Sequence, residues 1–136
     1  MIQAEIIDGP IPPLVDRQND DDVGAELIFY GRVRGQEKKS TITALEYEYY
    51  PVMAEKKLTE IARQTEQKFN IRGISCIHRV GVVPVGESSV RIVIRSKHRK
   101  ESLAAMDWFI VQLKKEVPIW KWGITADGSR FPSDAI

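Results

Sequence analysis

The stretch GISCIHRVGVVPVGESSVRIVIRSKHRK, residues 73–100, decides the fold. Ile74, Cys76, His78 and Val80 fall at every second position, which puts them on one face of an extended chain, because successive side chains of a strand point to opposite sides. VPVGESS supplies a turn, and Val90, Ile92 and Ile94 repeat the two-residue period on the way back. Two such runs joined by a short turn predict a β-hairpin. The returning strand leads into SKHRK, where a helix opens near His98 and ends before Pro118. Leu103, Met106, Ile110, Leu113 and Val117 step by three and four residues along it, a stripe that faces a core.

Upstream, TITALEYEYY (residues 41–50) has Leu45, Tyr47 and Tyr49 on one face and Glu46 and Glu48 on the other, the pattern of a half-buried strand. Pro51 stands where a first helical turn tolerates a missing N–H. Ala54, Leu58, Ile61, Ala62, Thr65 and Phe69 then recur at helical spacing along a helix that runs to about Lys68. AELIFYGRVR (residues 25–34), between Gly24 and Gly35, reads as another strand, joined to residues 41–50 by the short polar GQEKKS as a hairpin. The order strands, helix, strands, helix predicts an α+β fold, a mainly antiparallel sheet with two principal helices, in a single domain spanning residues 1–136. Past Pro118, IWKW runs extended and the turn-rich tail DGSRFPSDAI is irregular.

With 43% hydrophobic and 29% charged residues the composition is that of a soluble globular protein, and no apolar run approaches the ~18 residues of a membrane span. The first residues lack the basic and apolar regions of a secretory signal, so a cytoplasmic location is expected. Cys76 is the only cysteine, and the two histidines, His78 and His98, stand twenty residues apart, so neither an internal disulfide nor a metal site is expected. The net charge of +1 conceals an asymmetry. Residues 1–22 carry six acids against Arg17 alone, whereas residues 88–100 carry five cations and no acid. One part of the molecule should attract anions, although the chain lacks the general excess of Lys and Arg of a nucleic-acid binder.

Within this frame several side chains are candidates, each with a plainer alternative. At 100° per residue Lys114 lies roughly 60° from the centre of the apolar stripe and Lys115 roughly 160° away. Lys114 therefore flanks the buried face, where desolvation would suit it as base, acid or nucleophile, or it snorkels its stem along the core edge and keeps its ammonium wet. Lys121 projects opposite Trp120 and Trp122, and shares a cleft with Lys114 only if the chain folds back over the helix end. His98 and Arg99 sit at a helix start, a place that favours an anion, or belong to a solvated first turn capped by Ser96. Arg32 and Arg34 share one face of a strand end and either clamp a phosphate or carboxylate or protect an edge. Trp108, opposite the stripe, calls for a second buried surface, in the domain or across a subunit contact. Cys76 and His78 read as core residues.

The motifs FYGRVRG, YEYYPVMAEKKL, HRVGVVPVGESSV, SKHRKESLAA and LKKEVPIWK stand in the order seen in the large, catalytic subunit of molybdopterin synthase, and the resemblance covers residues 25–121. It implies an α/β-hammerhead-like architecture and a sulfurtransferase of molybdenum cofactor biosynthesis. That enzyme converts cyclic pyranopterin monophosphate to the dithiolene of molybdopterin. Its sulfur comes from the thiocarboxylated Gly-Gly C-terminus of a small ubiquitin-like subunit, so it needs no cofactor and no thiol of its own. The resemblance also implies a homodimer of large subunits within a heterotetramer, its pterin pocket drawing on both. By the same resemblance Lys114 and Lys121 are catalytic and bind substrate, and Arg32, Arg34, His98 and Arg99 bind substrate. The chain departs from the family pattern after PIWK, where a basic and then an acidic residue are usual and Trp122 and Gly123 stand instead, and GQEKKS is short. On the residues alone two other readings stay open: a non-catalytic α+β module that binds a phosphorylated ligand or RNA, and an inactive family member.

Overall fold

The computed structural model describes residues 1–15 and 20–133. Its elements are β1 (Ile2–Asp8), β2 (Ala25–Arg32), β3 (Gln36–Glu37), β4 (Ser40–Thr41), β5 (Ala44–Tyr49), α1 (Met53–Lys68), β6 (Gly73–Pro84), β7 (Ser88–Ser96), α2 (Arg99–Glu116), β8 (Ile119–Ile124) and β9 (Arg130–Ser133). The hairpin expected from residues 73–96 is β6 and β7, with Ile74 opposite Ile94, Cys76 opposite Ile92 and His78 opposite Val90. Of these, Ile74, Cys76, Val90, Ile92 and Ile94 share a core with α1 and α2, and α1 packs Ala54, Leu58, Ile61, Ala62 and Thr65 into it. Among the described residues no helix is long and apolar enough to cross a membrane.

The main sheet has the order β2-β7-β6-β5-β8-β9. The hairpin expected between residues 25–34 and 41–50 does not form. Instead β2 pairs antiparallel with β7, β5 lies between β6 and β8, and GQEKKS folds into its own small β3–β4 ribbon. β6 is long enough to serve different partners at its two ends. Residues 73–78 pair with β7 and 81–84 with β5, while β1 lies parallel along 74–80 on the edge that β5 then continues. The tail is not irregular: β8 extends the sheet beyond β5, β9 follows it, and residues 134–136 lie outside the described residues.

Two local boundaries also differ. Pro51 precedes α1, whose first residue is Met53, and the entry is made by Val52 at φ 70, its N–H donating to Glu55 Oε1 at 2.8 Å. In α2 the buried residues are Ser102, Ala105, Met106, Phe109 and Leu113, whereas Leu103 is 55% exposed. Fully buried Phe109 turns the helix so that small Ser102 and Ala105 face inward. The true stripe therefore sits away from the one centred on Leu103, Met106 and Ile110. Ser96 does not cap the helix: its Oγ meets the His98 carbonyl and Ser102 Oγ, each at 2.5 Å. Trp108 finds its second surface within the chain, edge-on to Phe69 with ring centroids 6.0 Å apart.

Candidate active site

At the C-terminal end of α2 the sheet outruns its helical cover, and a cavity of about 400 Å³ opens between β2, β5, β7, β8 and the end of the helix. A cation-bearing wall and a neutral floor distinguish its two sides. Arg32 and Arg34, from β2 and the segment after it, Lys38 from the β3–β4 turn, Lys114 from α2 and Lys121 from β8 all line it. Four separate segments of sequence thus put positive charge around one opening.

Rotation of α2 moves Lys114 to about 120° from the centre of the buried stripe. Its side chain is exposed rather than flanking the core, and it reaches the cavity from the rim, beside buried Leu113. Lys121 is placed by the alternation of β8. The indoles of Trp120 and Trp122 both donate to Glu48 Oε1, at 3.0 and 2.5 Å, which fixes them on one side and leaves Lys121 on the other, opposite Tyr47. These two N–H donors hold the Glu48 carboxyl below the usual carboxylate range. The return of the chain over the helix end, which the sharing of a cleft required, is made by pairing β8 with β5. Lys121 is only 10% exposed and lies 3.9 Å from Glu37 Oε1.

Arg32 and Arg34 both border the cavity, but not as one strand face. β2 ends at Arg32 with a bulge, and Arg34 lies beyond it, 83% exposed and 4.0 Å from Glu37. Arg32 Nη1 donates to the Gly86 carbonyl at 3.3 Å and its guanidinium stands over the Tyr30 ring. The bulge matters for the floor as well. Gly31 pairs with Val90 and Arg32 with Ser88, so Ser89 is the extra residue on β7, its Oγ donating to the Gly31 carbonyl at 3.3 Å. Glycine is required at 31, since a Cβ there would lie 2.7 Å from Val90 Cγ1.

The neutral floor consists of Tyr47, His78 and Ser89; alternation marks the first two only as sheet or core residues, and no pattern in the sequence marks Ser89. Tyr47 and His78 rings meet edge-on with centroids 5.3 Å apart. Burial raises the Tyr47 hydroxyl above its ordinary pKa, against a hydrogen bond with Ser89, and the nearby Glu37 carboxylate adds to the rise. Burial pushes His78 down to about 4, and its Nδ1–H donates to the Arg79 carbonyl at 2.8 Å. The imidazole is therefore neutral near pH 7, with Nε2 as an acceptor. Cys76 is fully buried and its thiol is pushed far up by desolvation, which makes it inert.

His98 and Arg99 stand apart from these groups. Both are exposed at the start of α2, and some fifteen residues of helix, about 22 Å, separate Arg99 from Lys114. They do not line this cavity within one chain.

A family model described as "MoaE protein" matches residues 8–116. The chain is similar to the molybdopterin synthase catalytic subunit of Dictyostelium discoideum, 44% identical over 113 residues covering 82% of this chain and 72% of the relative. The subunit of the same name from Thermoplasma volcanium is 36% identical over 93% of each chain. Among solved structures, molybdopterin synthase from Staphylococcus aureus superposes with a TM-score of 0.80 at 34% identity, covering 92% of this chain and 93% of that one. A complex of subunits 1 and 2 of molybdopterin-converting factor from Helicobacter pylori shares the fold, with a TM-score of 0.74 at 22% identity over 95% and 88% of the two chains. An α+β architecture of two helices on a mainly antiparallel sheet, a cavity ringed by cations and these likenesses over most of the length agree: the chain belongs to the MoaE family.

Proposed function

We propose that this chain is the catalytic subunit of a molybdopterin synthase. It moves sulfur from the thiocarboxylated Gly-Gly C-terminus of a small ubiquitin-like partner to cyclic pyranopterin monophosphate, giving the dithiolene of molybdopterin. The observation that carries the reading is the convergence of Arg32, Arg34, Lys114 and Lys121 on one cavity from distant parts of the sequence. Both reactants are anions, and a cation-lined concavity attracts and orients them. The pterin ring suits the neutral floor of Tyr47, His78 and Ser89, while the phosphate suits the arginine side.

In this reading Lys114, at the open rim, meets the incoming tail and serves as acid, base or transient acyl acceptor, and Lys121 acts from the inner wall. A tail of two glycines permits the close backbone approach that a narrow entrance requires. The distance between Arg99 and Lys114 supports a site completed by a second large subunit, which would bring His98 and Arg99 to the phosphate. The functional unit is then a homodimer of large subunits, each residue 1–136 chain acting as one domain, with a small subunit at each end. A cytoplasmic location belongs to the same proposal. Incubating the chain with thiocarboxylated partner and the cyclic pterin should yield a dithiolene product, and Lys114→Ala should abolish it while the protein stays folded. Normal turnover by that variant would remove Lys114 from its role, and salt-sensitive RNA binding without any product would favour the non-catalytic alternative.

A further inference from the structure

Glu37 is the one acid among the described residues lining the cavity, against the five cations Arg32, Arg34, Lys38, Lys114 and Lys121. Its side chain is 11% exposed. Oε1 lies 3.9 Å from Lys121 Nζ and 4.0 Å from Arg34 Nη2, and Oε2 accepts a 2.7 Å hydrogen bond from Ser133 Oγ. Ser133 is buried and sits directly across from Lys121 in the β8–β9 register. The hydroxyl that aims the carboxylate and the amine that the carboxylate faces therefore occupy one rung of the sheet.

The segment bearing Glu37 is held as firmly. The β3–β4 ribbon is clamped at its base by the Ile42 N–H donating to the Gly35 carbonyl at 3.0 Å, and it is flanked by Val33 and Ile42, each 3% exposed in a small core with Leu45 and Val83. Its tip carries Lys38 and Lys39 at φ 48 and 67, a left-handed pair that residues with a Cβ rarely adopt. Such a turn persists where surrounding contacts over-determine it. The next inward position on β8 after Lys121 is Gly123, where a Cβ would lie 2.5 Å from Phe131 Cζ. That place is filled by the aromatic ring, so the acid facing Lys121 comes from the ribbon and not from β8.

Building on the function proposed above, we infer that Glu37 is a positioning residue for sulfur transfer: fixed by Ser133, its carboxylate holds the Lys121 amine at the cavity wall and offsets charge shared by Lys121 and Arg34. Separations near 4 Å exceed those of a hydrogen-bonded pair, so Glu37 acts on both cations chiefly through its field. The amine is thereby held at the wall, where an anionic reactant meets it during turnover.

Glu37→Gln keeps the size and the Ser133 contact and removes the charge, and Glu37→Asp keeps the charge. Single-turnover dithiolene formation by the chain with its thiocarboxylated partner should slow at least tenfold in Glu37→Gln, with KM for the pterin changed less than threefold, and Glu37→Asp should recover most of the rate. Independently of the reaction, brief acetylation of the whole chain followed by peptide mapping should show Lys121, released from the carboxylate, labelled several-fold more in Glu37→Gln, with unchanged labelling at Lys114. Rates within twofold of the parent together with unaltered Lys121 labelling would overturn the inference. A parent chain that forms no product overturns the proposed function instead, and the labelling then decides the role of Glu37 alone.

Discussion

Lowering the pH from 7 to 5 should destabilise this protein through one side chain, His78. The imidazole is 6% exposed, its Nδ1–H is committed to the Arg79 carbonyl, and burial holds its pKa at about 4 against 6.5 when unfolded. Between those two values the unfolded chain binds a proton that the folded chain refuses, so stability is full above the upper value and falls as pH drops through the window. For one group with these constants the loss between pH 7 and pH 5 is about 2 kcal/mol, a large share of the stability of a small domain. Urea unfolding at half-unit intervals, at one protein concentration because the protein is expected to dimerise, measures it directly. Stopping at pH 5 keeps clear of the depressed carboxyls of Asp22, Glu48 and Asp127, whose stabilisation is lost only as pH falls below the unfolded carboxylate range. His78→Asn retains a donor for the Arg79 carbonyl and cannot titrate, so its stability should vary by about 2 kcal/mol less over the same interval. Equal slopes for parent and variant would refute the reasoning.

Three further outcomes follow from the geometry. Val52 is a β-branched residue at φ 70, so Val52→Gly should raise stability by about 1 kcal/mol, read as an upward shift in Tm. Gly123→Ala should lower stability by about 1–3 kcal/mol, because the new methyl overlaps the Phe131 ring, and chemical denaturation will show it. If a second subunit supplies Arg99, inactive Lys114→Ala and inactive Arg99→Ala chains should regain about a quarter of parental activity after unfolding and refolding together, since mixed dimers then hold one intact site. No recovery would confine the site to one chain.

The β6–β7 hairpin and α1 were legible because their periodicity is local: Ile74 and Cys76, Val90 to Ile94 and Ala54 to Ala62 face the core as their spacing dictates, and the same alternation carries His78 on to the cavity. The pairing of β2 was not, because sequential strands usually neighbour one another and only the whole sheet shows that β7 claims that edge. β1 joins through a parallel partner some seventy residues away, a contact with no local mark. In α2 two apolar stripes overlap, and hydrophobicity alone does not say that Phe109 wins over Leu103. That choice moved Lys114 from the core edge to the rim. The lysines and arginines of the site could be picked out by type and by family resemblance, whereas Glu37 lay in a linker read only as polar, and Ser89 reaches the cavity through a bulge that spacing does not disclose.

The central claim is that the partner's C-terminus is delivered into the cavity bordered by Lys114 and Lys121. Activating that C-terminus as an acyl donor, mixing it with the chain and mapping the resulting isopeptide by mass spectrometry tests this most directly. The account predicts an adduct at Lys114 or Lys121, suppressed by excess cyclic pterin phosphate or by replacing both lysines. Adducts confined to lysines remote from the cavity, such as Lys56, Lys97 or Lys100, would contradict it.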